Sequence, residues 1–407
     1  MSLTESNPPR ARTSASRRRP RLPTPQDYPS PLHSERLTAR IGLWLGGAFV
    51  LCFVTGLTSH LIQHPPAWFG WPTRPVWLYR VNQGLHVTSG VAAIPLLLVK
   101  LWTVSPRFWT WPPIAGIVHA LERLSILVLV GASMFELISG LLNVAEWYPW
   151  TFFFPPVHYA IAWVAIGSIA VHVAVKLPVI RRALLRSEQR AESVGQQSAP
   201  SAPEAPTPIA TGPLSRRGLL GAALGSAAVV ALATVGDKIP ALRRVSVLAQ
   251  RNGSGPQGLP VNRTAAAAGI PAGRTGPAWA LVLRGPAGER SVGLAELRAM
   301  PQVTATLPIS CVEGWSQTAV WGGVRLRDIL ALVGADQRHG ARMISLENGL
   351  YGQSLVTAEL AADELTLVAL DLHGEPLAPD HGYPARLIAP NRPGALQTKW
   401  LHGIEAT

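Results

Sequence analysis

The chain has 407 residues, 48% hydrophobic and only 14% charged, with a formal net charge of +13. Soluble domains carry roughly 25% charged residues, so much of this chain is expected to lie outside water. Two cysteines, Cys52 and Cys311, exclude a disulfide framework and a four-thiolate iron–sulfur cluster. The positive charge gathers at the N-terminus and at the ends of apolar runs. That is the positive-inside pattern of a membrane protein, and no nucleic-acid partner is expected.

Residues 1–40 are rich in Pro, Ser and Arg (SRRRPRLPTPQ) and read as a disordered basic arm on the cytoplasmic side. Four apolar runs follow, Ile41 to Ile62, Leu85 to Val104, Ile117 to Leu142 and Val157 to Leu177. Each has about the 20 residues that cross a bilayer. Arg36 and Arg40 precede the first run, Lys100 and Arg107 close the second, and Lys176, Arg181 and Arg182 close the fourth. These ends are expected to be cytoplasmic, which makes residues 41–180 a four-helix membrane domain with both termini inside.

Residues 181–215 read as a linker dominated by Pro, Ala and Ser. Residues 216–237 then join Arg216 and Arg217 to an apolar run. They read either as a fifth transmembrane helix or as a twin-arginine-like export signal. Both readings place residues 245–407 outside the cytoplasm. There the pattern changes to alternating stretches (ALVLRG, LTLVALDL, ARLIAP) separated by Gly/Pro turns, which read as strands. VRLRDILALVG reads as a short amphipathic helix, with Leu326, Ile329, Leu330 and Val333 at helical spacing. The fold expected is a membrane helical bundle of four helices plus a fifth span, followed by a strand-rich α+β domain.

Ionisable residues inside apolar helices point to function. His158 and His172 are 14 residues apart on the fourth run, so they share one face about 21 Å apart along the axis. That spacing suits two stacked haems, each taking one ligand from this helix. His86 opens the second run at the level of His158, and an axial His86–haem–His158 pair suits one-electron transfer. His172 needs a partner from the cytoplasmic side, His119 or His33. Lys100 stands where a symmetric design would have another histidine, and there it reaches the surface or a haem propionate. His60 and His64 are open between a quinone pocket, a haem site and no specific role. Glu136 is open between a proton carrier and a helix–helix hydrogen bond. The layout of residues 33–180 resembles bacterial four-helix cytochrome b membrane subunits. The resemblance implies one or two haems b and exchange with the quinone pool.

The segment LPISCVEGWSQTAVWGGVRLRDIL carries a lone thiol, Cys311, after a strand-like stretch and before a Gly/Trp turn. It is open between a nucleophile and a soft metal ligand. SCVEGW and WGGVRLRDIL, with the C-terminal HGYPARLIAPNRPGALQTKWLHGIE, resemble the cofactor-binding core of the sulfite oxidase family of molybdopterin proteins over roughly residues 255–407. The resemblance implies that Cys311 ligates molybdenum and is catalytic. It implies that His381, Arg386 and Lys399 hold the pterin and its phosphate, as an anion in a folded interior requires. Asn262 is a further pterin contact, Gly394 a point of close backbone approach to the cofactor, Glu313 an orienting or turn residue, and Arg392 a substrate-anion contact. The expected activity couples oxygen-atom transfer at extracytoplasmic molybdenum to haem b and quinone. Reduction of a small S-oxide or N-oxide is favoured. Oxidation of sulfite or a related oxyanion is one alternative, and a non-catalytic haem carrier or sensor is the other.

Overall fold

The computed structural model describes residues 30–109, 114, 116–196, 215–235, 245–246, 255–349 and 351–407. The arm over residues 1–29 and the remainder of the expected linker from 197 to 214 lie outside the described residues. The N-terminal region holds five long helices, α1 (Glu35–Gln63), α2 (Leu78–Val104), α3 (Ile117–Val144), α4 (Phe154–Gln196) and α5 (Arg216–Val235). All five are long and apolar enough to cross a membrane. Large apolar side chains such as Trp44, Leu127, Val171 and Val229 point outward, as they do where the surroundings are hydrocarbon.

Two boundaries differ from the sequence expectation. α2 begins at Leu78 rather than Leu85, so His86 lies in its third turn instead of opening the helix. The polar LYRVNQG stretch is helical because its polar groups meet protein, as shown below. α4 runs on to Gln196, so the first part of the segment read as linker is helical. SEQRAESVGQ holds neither Pro nor a run of small residues, and the helix continues through it.

α5 lays one small-residue face, Ala223 and Ala227, against Leu96 of α2, with Leu45 and Val99 beside them. Ala231 continues the face one turn on. Small side chains let helix backbones approach closely where burial from water supplies no driving force. Two polar contacts tie the other end of the bundle, from Lys100 Nζ to the carbonyl of Thr38 at 2.7 Å and from Lys176 to the Glu122 carboxylate.

The C-terminal region is built on two sheets. One has strand order β2–β1–β10–β5–β6, from β1 (Ala280–Gly285), β2 (Gly288–Gly293), β5 (Ala341–Ser345), β6 (Gln353–Val356) and β10 (Leu401–Ala406). Only the β1–β10 pairing is parallel within it. The other sheet joins β3 (Val303–Ser310), β4 (Ser316–Arg325), β7 (Leu367–Leu372), β8 (Glu375–Pro376) and β9 (Arg386–Ile388). Short helices α6 (Leu294–Ala299), α7 (Leu326–Ala331) and α8 (Ala358–Ala362) cover them. β1 shows how patterning works here. Leu281 and Leu283 are fully buried, while Arg284 on the opposite face pairs with Glu289 of β2 and Glu405 of β10. The expected helical bundle followed by a strand-rich domain is borne out. The Gly/Trp turn expected after Cys311 is present, but between it and the short helix runs β4, ten residues long, whose glycines hide its alternation.

The small-residue seam of α5 has a direct test. Ala227→Leu overfills the contact with Leu96 and is expected to cost about 1–3 kcal/mol, read as a lower melting temperature of the detergent-solubilised protein. Gly221→Ala, where an added Cβ meets nothing within 4 Å, melts at or above the parent.

Candidate active site

Cys311 directly follows β3 and is buried. Its amide donates to the carbonyl of Trp315, and its carbonyl accepts from the amide of Gly314, so the thiol sits at the start of a tight turn. Gly314 has φ of 100°, and an added Cβ there would lie 2.9 Å from Val87 of α2. The turn therefore needs glycine both for its left-handed backbone and for its contact with the helical region. Asn262 Nδ2 donates to Cys311 Sγ at 3.8 Å, so these two expected site residues meet directly.

Around the thiol lies a cavity of about 330 Å³ whose lining includes Asn262, His381, Arg386 and Lys399. Arg386 is buried, donates to the carbonyls of His381 and Gln397, and lies 5.1 Å over the Trp321 ring. Its Nε is buried with no hydrogen-bond partner among the described residues. Burial pushes its guanidinium down to about 9. Lys399 Nζ donates to the carbonyls of Arg263 and Asp380. Burial first, and the Arg386 charge second, bring it down to about 7. Burial likewise brings His381 down to about 4, and its Nε2 donates to the carbonyl of Pro256 at 2.7 Å. A buried and a half-buried cation thus bond neutral carbonyls, with no carboxylate bonded to either among the described residues. Such an arrangement is costly unless an anion arrives. An unsatisfied buried guanidinium N–H, a convertible lysine and a thiol in one cavity fit the phosphate and metal of a molybdopterin.

One expectation needs correction. Arg392 is buried and its Nη2 donates to the carbonyl of Leu355, so it is not in the cavity wall. Gly394 does line the cavity, but its close approach is to Ser310 and Cys311, where an added Cβ would lie 3.1 Å from the Ser310 carbonyl. It serves the thiol strand. The sequence reading missed Glu347, which pairs with Arg263 at 2.8 Å, and Tyr351. It also missed Tyr148, Phe152 and Phe153 of the α3–α4 connection and Phe154 and Pro155 at the start of α4, which wall the same cavity. The aromatic run YPWTFFFPP was the available signal, and it resembles an ordinary interfacial belt.

The helical region meets this domain through Asn391, whose φ is 50°. Its Oδ1 accepts from the amide of Tyr79 at 2.7 Å, its Nδ2 donates to the carbonyl of Pro72 at 2.7 Å, and its carbonyl accepts from Trp71 Nε1 at 2.9 Å. It thus caps the α2 N-terminus from another part of the chain. One turn on, Gln83 Nε2 donates to the carbonyl of Val312 at 2.8 Å.

Beyond Val312 a second cavity of about 410 Å³ opens among α1, α2, α3 and α4. His86 and His158 both line it, with ring centroids 6.4 Å apart. An ion shared by two imidazoles, at roughly 2 Å from each nitrogen as in zinc-bound histidine, sets their ring centres about 6 Å apart. His86 Nδ1 donates to the carbonyl of Cys52 at 2.8 Å, the kind of contact that orients a ligating histidine. His158 Nδ1 lies 3.2 Å from Ser139 Oγ, and Nε2 is 3.1 Å from Glu136 Oε2. Ligation through that nitrogen requires the carboxylate to give way. His60 stacks on Tyr159 at 3.7 Å and lines the same cavity with His64.

His172 does not share this arrangement. Lys100, Lys176 and Glu122 are the charges around it, and no ring contact to it is formed among the described residues. Of its two expected partners, His33 packs on Trp102 with Nδ1 at 3.1 Å from the Thr103 carbonyl, and His119 accepts from Arg123. Facing imidazoles are thus formed by His86 and His158, and among the described residues no such pair is formed at His172.

The lysine makes the anion site pH-dependent. A lysine whose folded pKa is depressed is neutral in the folded protein between about 7 and its ordinary value, so its burial penalty is full below 7 and relieved above it. An anion that restores its charge must bind with proton uptake. Thermal stabilisation of cofactor-free protein by inorganic pyrophosphate is expected to be larger at pH 6 than at pH 8.5, and the difference is expected to vanish in Lys399→Met.

Known proteins resemble this region. Residues 268–407 match the family model described as the oxidoreductase molybdopterin binding domain. An uncharacterized oxidoreductase, YuiH, of Bacillus subtilis is 35% identical over 113 residues, covering 28% of this chain and 56% of that protein. The sulfite oxidase of Arabidopsis thaliana is 30% identical over 28% of this chain and 38% of its own length. The NAD(P)H nitrate reductase of Hordeum vulgare is 39% identical over 22% of this chain and 11% of its own length. The chain thus spans about half or less of the relatives it matches. Its C-terminal part is an oxidoreductase molybdopterin-binding domain, similar to those of sulfite oxidase and nitrate reductase and preceded by a region of five apolar helices.

Proposed function

We propose that the chain is a multi-pass membrane oxidoreductase that passes electrons between the quinone pool and an extracytoplasmic molybdopterin site through haem b, and that it reduces a small S-oxide or N-oxide. The observation that carries the reading is Val312. It follows Cys311 directly, and it lines both the thiol cavity and the histidine cavity. A two-electron site and a one-electron relay are useful to each other only at such short range.

The residues divide the work. Cys311 would ligate molybdenum, with Asn262 orienting the sulfur. Arg386, Lys399 and His381 would hold the pterin and its phosphate. His86 and His158 would hold one haem. When bound, the molybdenum centre supplies two-electron oxygen-atom transfer. Haem b supplies single-electron steps between it and the quinone. The reaction balances with no further reactant: a quinol gives two electrons and two protons and becomes a quinone. The S-oxide takes two electrons and two protons, its S–O bond breaks, and a thioether and water leave. Basic residues at the inner helix ends support a cytoplasmic N-terminus and a catalytic domain on the opposite side.

Purified protein is expected to contain molybdenum and iron together. Cys311→Ser lowers molybdenum and spares iron. His86→Ala and His158→Ala each abolish the reduced-minus-oxidised haem spectrum, and His172→Ala leaves it intact. Haem reduced with a quinol analogue is expected to reoxidise on addition of methionine sulfoxide. Haem reduction by sulfite instead would reverse the direction proposed, and iron without molybdenum would leave only an electron carrier.

A further inference from the structure

The thiol cavity is not completed by the catalytic domain. Its far wall is the α3–α4 connection, which presents Tyr148 and Phe153 toward Cys311 from the helical region. Phe153 meets Tyr351 of the catalytic domain edge to face, with centroids 6.5 Å apart. Tyr148 is held from behind, its hydroxyl donating to Asn143 Oδ1 at 3.1 Å, and Asn143 is buried at the end of α3. The wall is therefore anchored to the bundle.

The charge around this cavity is uneven. Arg386 and Lys399 are bonded into the carbonyls of the cofactor side, and Arg263 is paired with Glu347. The aromatic wall supplies no cation, and Glu313 lines the cavity there with it. Burial, with the Glu313 and Cys311 charges next, raises Tyr148 to about 12. Burial first, then the same two charges, raises Tyr351. Both hydroxyls stay protonated and neutral. An inorganic oxyanion at this wall would lose its hydration and meet only the Arg263 guanidinium, which Glu347 already pairs. A neutral molecule with an apolar or aromatic flank would find ring faces and the hydroxyl of Tyr351, the Tyr148 proton being given to Asn143.

We infer that the α3–α4 connection is the specificity wall of the thiol site, and that Tyr148, Phe153 and Tyr351 select uncharged oxo substrates with an apolar or aromatic flank over inorganic oxyanions. This deepens the proposed S-oxide or N-oxide reduction and rests on it. It also makes the helical region part of the active site as well as the electron relay. Phe153 is the residue through which the two regions share the substrate.

The test uses the full-length, cofactor-loaded protein in detergent, with reduced viologen as electron donor so that the quinone step is bypassed. KM is measured for methyl phenyl sulfoxide, dimethyl sulfoxide and nitrate. Binding of methyl phenyl sulfone, which is not turned over, is followed by tryptophan fluorescence. The parent is expected to favour the aryl sulfoxide over dimethyl sulfoxide by about tenfold in KM, with nitrate poorest. Phe153→Ala is expected to lose that preference and to bind the sulfone about tenfold more weakly, while Phe153→Tyr keeps both. The ratio between two sulfoxides is insensitive to a general loss of active protein. An unchanged ratio and sulfone affinity in Phe153→Ala, or a lower KM for nitrate than for the aryl sulfoxide, would overturn the inference. If the parent reduces no S- or N-oxide, the proposed reaction falls. The sulfone affinities of the parent and Phe153→Ala then still decide the wall.

Discussion

Everything in this molecule hangs on how α2 begins. A helix N-terminus leaves backbone amides without partners, and in a helix emerging from a membrane water is the usual remedy. Here Asn391 of the catalytic domain supplies it, with its own backbone in the left-handed region that asparagine tolerates. The same side chain grips the loop before the helix. Two turns further along, the helix carries His86. Docking of the catalytic domain and placement of the histidine cavity are thus consequences of one rigid rod. Gln83, on the Val312 carbonyl, and Gly314, against Val87, keep the thiol turn pressed to that rod.

The second constraint is electrostatic. Arg386 is taken out of water and Lys399 partly so, with no carboxylate bonded to either among the described residues, so the folded domain holds positive potential in reserve for an anion. Neutral carbonyls keep the geometry without cancelling the charge. Gln397 serves the same end, since its side-chain amide bonds both backbone groups of Ala389 and so fixes the segment that bears Lys399. This favours rigid binding of an anionic cofactor on one side of the thiol. The opposite side is aromatic, with the Glu313 carboxylate beside it.

Fold and site were legible in the sequence to different depths. The apolar runs, the strand stretches ALVLRG and LTLVALDL, and the grouping of Asn262, His381, Arg386 and Lys399 near Cys311 could all be read in advance. β4 could not be read as a strand, because its Gly–Gly pair interrupts the alternation and its partners β3 and β7 lie elsewhere in the chain. Arg392 was misjudged because an arginine beside a motif looks the same whether it faces a cavity or a carbonyl. His172 was paired by symmetry, although Lys100 had already broken that symmetry in the sequence.

The sequence alone determined what depends on local period and chemical type: which segments are apolar enough for a membrane, which alternate, where a soft ligand and basic groups occur. These follow from residue order, since helix and strand repeats and side-chain chemistry act over a few positions. Only the tertiary structure decided which distant segments share a cavity. The capping of α2 by Asn391, the wall that Tyr148 and Phe153 lend to Cys311, and the meeting of two cavities at Val312 join residues far apart in the chain. No local pattern encodes such contacts, because they arise from the packing of whole elements and from the need to satisfy each buried polar group with whatever partner that packing brings near.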